Sequence, residues 1–151
     1  MSRLADYGVI LMVQMARSGE RRMSATELAE KTGLPFPTVS KITKQLAAAD
    51  LLASHRGASG GYVLSEKPEE ITVARIVAAL DGPIALTECM TDDGTICEIE
   101  ALCPTRTNWR RINDALVGAL QGVTLAEMAA PPQWTATKQK PKPVSADATA
   151  F

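Results

Sequence analysis

Three cysteines, Cys89, Cys97 and Cys103, are separated by seven and then five residues, in one stretch that also holds Asp92, Asp93, Gly94, Glu98 and Glu100. Thiolates are soft ligands that suit iron–sulfur clusters and zinc, and both uses require the thiol to be deprotonated. The spacing lacks the paired CxxC knuckles of most structural zinc sites, and a loop built around Asp92-Asp93-Gly94 can wrap a larger object than one ion. An odd number of thiols cannot close completely into intrachain disulfides. Residues 1–20 carry periodic apolar positions with Asp6 and Arg17 among them, in place of a charged start and a continuous apolar block. A cytoplasmic protein holding an inorganic thiolate cluster is therefore expected, iron–sulfur ahead of zinc. Cys103 directly precedes Pro104, a residue suited to opening a helix, and the dipole and free N–H groups of a helix start lower a thiol pKa.

The elements that must carry such a site come from a chain of 151 residues, 46% hydrophobic, enough for one compact domain with an extension. No apolar run approaches the length of a membrane span. Leu4, Gly8, Leu11, Met12 and Met15 have helical spacing, and Ser18-Gly19 ends that first helix. Ser24 and Glu27 form a capping box for a short helix over 25–31. Gly33 supplies a turn, and Pro35-Phe36-Pro37 separates this helix from a third, opened by Pro37 and running to about Ala49. On it Val39, Ile42, Leu46 and Ala49 share one face, so Pro37, Ser40, Lys41 and Lys44 project from the other.

Two strands follow, over 51–56 and 62–64, joined by Gly57-Ala58-Ser59-Gly60-Gly61. This ribbon reads as a wing, with glycines that let backbone approach a phosphate and with Arg56 at its base to reach a minor groove. His55 reads as a structural or solvent-facing residue. The expected DNA contacts are Pro37, Thr38, Ser40, Lys41, Lys44, Arg56, Gly57 and Ser59. Charge agrees with that placement: residues 1–67 hold nine Lys/Arg against six Asp/Glu, whereas 68–130 hold four against ten.

Thr72 caps a helix over 73–80 that Asp81-Gly82-Pro83 ends. Pro104 opens the longest helix, with Trp109, Ile112, Leu116 and Leu120 in one stripe. Because DNA half-sites call for two-fold symmetric readers, that stripe is expected to pair two copies into a homodimer. Thr124 and Glu127 form a second capping box for a short closing helix. The expected fold is mainly α: a winged helix-turn-helix domain with a two-stranded wing (1–67), a cluster-binding loop with a long dimerisation helix (68–130), and a disordered tail (131–151).

The chain resembles the winged-helix iron–sulfur regulators of the IscR, NsrR and RirA type. The match rests on RLADYGV, the wing RGASGGYVL, the LDGPI-ALTEC turn, the three cysteines and the tryptophan six residues after the last of them. CEIEALCPTRTNWRRIN and GVTLAEM look most like the proteobacterial regulator of the SUF iron–sulfur assembly operon. The resemblance implies a repressor that binds a double-stranded operator through Pro37, Ser40, Lys41 and Arg56. It also implies a 2Fe-2S or 4Fe-4S cluster on Cys89, Cys97 and Cys103. Two positions depart from the family pattern. Ser40 replaces a glutamate that governs operator discrimination in IscR-type members, and Arg106 stands where those members place a ligating histidine. Asp6 aligns with the aspartate that NsrR-type members donate from the other subunit; Asp92, Asp93, Glu98 and Glu100 are rival fourth ligands. A zinc-bound or thiol-oxidation-responsive winged-helix repressor remains an alternative, as does a protein-interaction module. A small thiol redox enzyme is disfavoured because the chain lacks both a CxxC and a His-paired nucleophile.

Overall fold

The first helix, α1 (Arg3–Arg17), forms the centre of the molecule, burying Ala5, Gly8, Leu11, Met12 and Met15 along the stripe its spacing predicts. The structure is a computed structural model that describes residues 2–57, 60–87, 90 and 102–131. Around α1 pack α2 (Ala25–Thr32), α3 (Phe36–Ala48), α4 (Val73–Asp81) and α6 (Leu125–Ala129), while α5 (Arg106–Gln121) rests on α4. One apolar core joins Leu11, Met12 and Met15 to Leu28, Val39, Ile42, Leu46, Ile71, Ile76 and Leu125, all nearly or fully inaccessible to solvent. None of the helices is long and apolar enough to cross a membrane, among the described residues.

Capping chemistry accounts for most helix ends. Ser2 accepts from the N–H groups of Leu4 and Ala5 at α1, and Thr72 accepts from Arg75 at α4. Thr124 and Glu127 make the full reciprocal box at α6, with the Thr124 N–H donating to Glu127 at 2.7 Å and the Glu127 N–H donating back at 3.2 Å. The Ser24 box is only half formed. Ser24 accepts from the Glu27 N–H at 3.1 Å, but the Glu27 carboxylate turns to Arg21 at 2.6 Å and Lys31 at 3.6 Å, because two cations outbid one backbone N–H. Two starts also shift: α3 begins at Phe36, one residue before Pro37, and α5 begins at Arg106, two after Pro104.

Strands β1 (Leu52–His55) and β2 (Gly61–Leu64) pair antiparallel, Leu52 opposite Leu64 and His55 opposite Gly61. Sequence spacing does not reveal a further pairing. Met23, just before α2, exchanges both backbone hydrogen bonds with Tyr62, at 3.0 and 2.9 Å, which ties the wing to the helix-turn-helix. Gly61 makes this approach possible. A methyl group there would stand 2.8 Å from the Met23 carbonyl oxygen, on a backbone with φ +154°. Gly61→Ala is expected to lower stability by about 2 kcal/mol, read as a fall in urea midpoint at constant slope. Gly118→Ala, on an open surface of α5, should instead gain up to about 1 kcal/mol.

Candidate DNA interface and cysteine segment

The interior of α3 is set by Val39, Ile42, Thr43 and Leu46. Thr43 is a buried polar residue whose hydroxyl donates back to the Val39 carbonyl at 3.0 Å, so its burial leaves no unpaired group. Ala49, expected on this apolar face, is instead the exposed C-cap, since the helix ends one residue earlier. The opposite face carries Pro37, Lys41 and Lys44 in solvent, with Thr38 and Ser40 half-buried at its edges. No ion pair among the described residues engages Lys41 or Lys44. Two unneutralised ammonium groups on one helical face form a surface for a polyanion.

Arg56 leaves the end of β1 exposed and likewise has no carboxylate partner among the described residues. His55 beside it is exposed on the strand end. The wing glycines divide by role. Gly60 and Gly61 are required by close backbone contacts inside the protein, whereas Gly57, at φ +107°, has open space where a side chain would stand. Ser59, at the wing tip, lies outside the described residues.

Of the three cysteines, Cys103 is described, while Cys89 and Cys97 lie outside the described residues, as do Asp92, Asp93, Glu98 and Glu100. Cys103 is half-buried just before α5, with its Sγ 3.4 Å from the Thr105 hydroxyl. That hydroxyl, the Thr105 backbone, and the N–H and positive charge of Arg106 hold its thiol below the ordinary thiol pKa. This favours the thiolate that metal ligation needs. At the start of α5, Thr105 is the N-cap residue, yet its hydroxyl faces Cys103 and makes no capping bond. Arg106 is a charge neighbour of this sulfur and, always protonated, cannot itself be a ligand.

The far end of the cysteine segment is held by a residue that the sequence pattern does not single out. Asn113 is nearly buried on an otherwise exposed α5, and its Oδ1 accepts from the Leu86 N–H at 3.0 Å. Both flanks of the segment are thus fastened to one helix. Asn113 stands three residues from Leu116 and four from Trp109, on the same side of α5; a polar residue within the apolar stripe was the available signal, but its partner lies 27 positions away. On the same helix Trp109, Ile112 and Leu116 are 39, 51 and 36% exposed, and Leu102 just before it is 90% exposed.

Asp6 is exposed on α1, lining a groove with Ile10, Arg17, Lys31 and Met128, and its carboxylate has no hydrogen-bond or ion-pair partner among the described residues. Above it, Ser2 donates its N–H to Asp81 at 2.6 Å, and its hydroxyl donates to the same carboxylate. Desolvation raises the Asp81 pKa, but these bonds outweigh it and leave the group below the ordinary carboxylate value. The start of α1 is thereby fastened to the end of α4, where the chain turns toward the cysteines. Among the described residues no group of three His, Cys, Asp or Glu side chains is placed to hold a metal ion.

The pattern of the Rrf2 family, described as an iron-dependent transcriptional regulator, matches residues 1–131. The HTH-type transcriptional regulator IscR of Aliivibrio salmonicida is 31% identical over 123 residues, which is 81% of this chain and 72% of that protein. The structure of CymR, the global cysteine regulator of B. subtilis, superposes with a TM-score of 0.67 at 32% identity, covering 85% of this chain and 95% of that one. The IscR structure from T. potens gives a TM-score of 0.63 at 29% identity, over 85 and 84% of the two chains. These relatives are transcriptional regulators, not enzymes.

Proposed function

Because this chain belongs to the Rrf2 family of transcriptional regulators and has the winged-helix fold, we propose that it is a homodimeric repressor that reports iron–sulfur status to SUF-type cluster-assembly genes. In this reading Cys89, Cys97 and Cys103 hold a 2Fe-2S or 4Fe-4S cluster, and Asp6 of the partner subunit offers the fourth ligand. Pro37, Thr38, Ser40, Lys41, Lys44, Arg56, Gly57 and Ser59 meet the operator.

The observation that carries the reading is the fastening of the cysteine segment to α5 at both flanks, through Asn113 and through Cys103. When bound, a cluster supplies an iron- and oxidant-sensitive tie between the thiolates. The chain's own residues do the rest: Thr105 and Arg106 hold the Cys103 thiol below its ordinary pKa, Arg106 offsets negative charge, and Asn113 keeps Leu86 on α5. Any change in the segment's shape then bears on the helix whose apolar stripe suits a second subunit, and so on the spacing of two recognition helices. The test is anaerobic purification followed by a visible spectrum and assays of iron and acid-labile sulfide. A colourless protein with full operator affinity would overturn the cluster assignment. One second reading has its own support, in the likeness to a cysteine regulator and the thiolate-favouring site of Cys103: a repressor responding to thiol oxidation, whose operator affinity answers to peroxide and not to iron chelation.

The DNA face has a separate expected result. Lys41→Ala and Lys44→Ala should each weaken binding across all sequences and reduce the slope of log affinity against log salt by about one. Arg56→Ala should lose discrimination where the wing enters the minor groove. Salt titrations on specific and scrambled duplexes read both, and unchanged slopes in all three variants would remove α3 and the wing from the interface.

A further inference from the structure

We propose that Phe36 reads sequence, packing its ring against the C5-methyl group of a thymine in the major groove beside Ser40. The proposal rests on the assignment of α3 as the DNA-reading helix. Phe36 is the first residue of α3 and is 51% exposed, although its spacing of three before Val39 points it toward the apolar stripe. The stripe runs past the end of the core there, leaving a large ring in water. Side chains on a helix tilt toward its N-terminus, so this ring projects ahead of α3, where recognition helices meet base edges. Ser40 lies one turn later on the same edge, and Lys41 and Lys44 occupy the neighbouring rows without acidic partners, which brings a polyanion to this face.

The chemistry of the ring narrows the contact. A benzyl group neither donates nor accepts a conventional hydrogen bond, so base amines, carbonyls and phosphates give it nothing to replace the water it sheds. The apolar group displayed on base edges in the major groove is the thymine methyl. Pro35 and Pro37 on either side restrict the backbone, so little freedom is lost when the ring is pressed against a base. The adjoining cleft of about 520 Å³, lined by Thr26, Ala29, Glu30, Gly33 and Leu34, leaves that side of the ring uncovered.

The test starts from duplexes selected out of a random pool by the full-length wild-type protein. Thymines are then replaced one at a time by deoxyuridine, which deletes only the methyl group. Wild type should lose about fourfold in affinity at one position of each half-site, the value of burying one methyl-sized group. Phe36→Ala should bind the thymine and uracil duplexes alike with an unchanged salt slope, while Phe36→Leu should keep part of the discrimination. A urea midpoint equal to wild type confirms that Phe36→Ala is folded. If Phe36→Ala keeps the wild-type thymine-to-uracil ratio at every position, the proposal is overturned, and a reduced salt slope in Lys41→Ala would show that α3 still meets DNA. If wild type enriches no duplex and Lys41→Ala changes nothing, the assignment of α3 itself fails.

Discussion

Replacing any one of Cys89, Cys97 or Cys103 by alanine is expected to abolish stable cluster binding while leaving a folded protein. Three thiolates leave no reserve ligand: removing one exposes an iron to solvent and to exchange, because oxygen donors hold iron–sulfur clusters less firmly than sulfur. The fold should survive, since the buried core among the described residues contains no cysteine and Cys103 sits at a helix end outside it. Iron and sulfide content would fall toward background with the far-ultraviolet circular dichroism unchanged. Asp6→Ala should behave differently, keeping the cluster on three thiolates, losing it faster to a chelator and showing an altered spectrum. If Asp92→Ala or Asp93→Ala does this and Asp6→Ala does not, the fourth ligand comes from the same chain. Full iron and sulfide in all three cysteine variants would place the cofactor elsewhere.

The other large effect is expected on α5. Ile112→Asp combined with Leu116→Asp should yield a monomer by light scattering, and operator affinity should fall at least about a hundredfold, because two linked readers gain that much from occupying two half-sites together. Both positions are exposed in the single chain, so the monomer's own fold has little reason to suffer. An association state unchanged by two carboxylates in the stripe would mean that another surface joins the subunits.

What could be read before the fold was seen, and what could not, follows the range of the forces involved. Helix positions came within one or two residues because caps and stops are local: Ser24, Thr72, Thr124, Gly33 and Gly82 act on the turns beside them. The wing was legible for the same reason, as two short strands around a glycine run. The Met23–Tyr62 bridge was not, since an isolated pairing across almost forty residues leaves no periodic trace. Asn113 gave an ordinary polar signal on a polar helix, and only its bond to Leu86 makes it distinctive. Phe36 reads as part of the break between two prolines, ahead of the helix it in fact opens, so that reading gives its ring no face. The fate of Glu27 turned on competition between a backbone N–H and the cations Arg21 and Lys31, which spacing cannot rank.

The closing helix α6 bears on when this protein becomes active as it is made. Leu125 is fully buried in the same core as Leu11 and Ile76, its N–H bonds the Ile71 carbonyl at 2.7 Å, and Arg17 reaches across to the Ala129 carbonyl at 3.0 Å. The helices that would meet DNA are synthesised first, but among the described residues their core also needs Leu125, translated about sixty codons after the wing. At about 5–20 residues per second that interval is about 3–12 s, during which the nascent chain lacks the Leu125 side chain. A message cut short after the wing would then yield a product for proteases instead of an unregulated operator binder. Burying Leu125 in the core that α1 shares with α2 and α3 makes the fold of the DNA-reading helices depend on a segment translated after them.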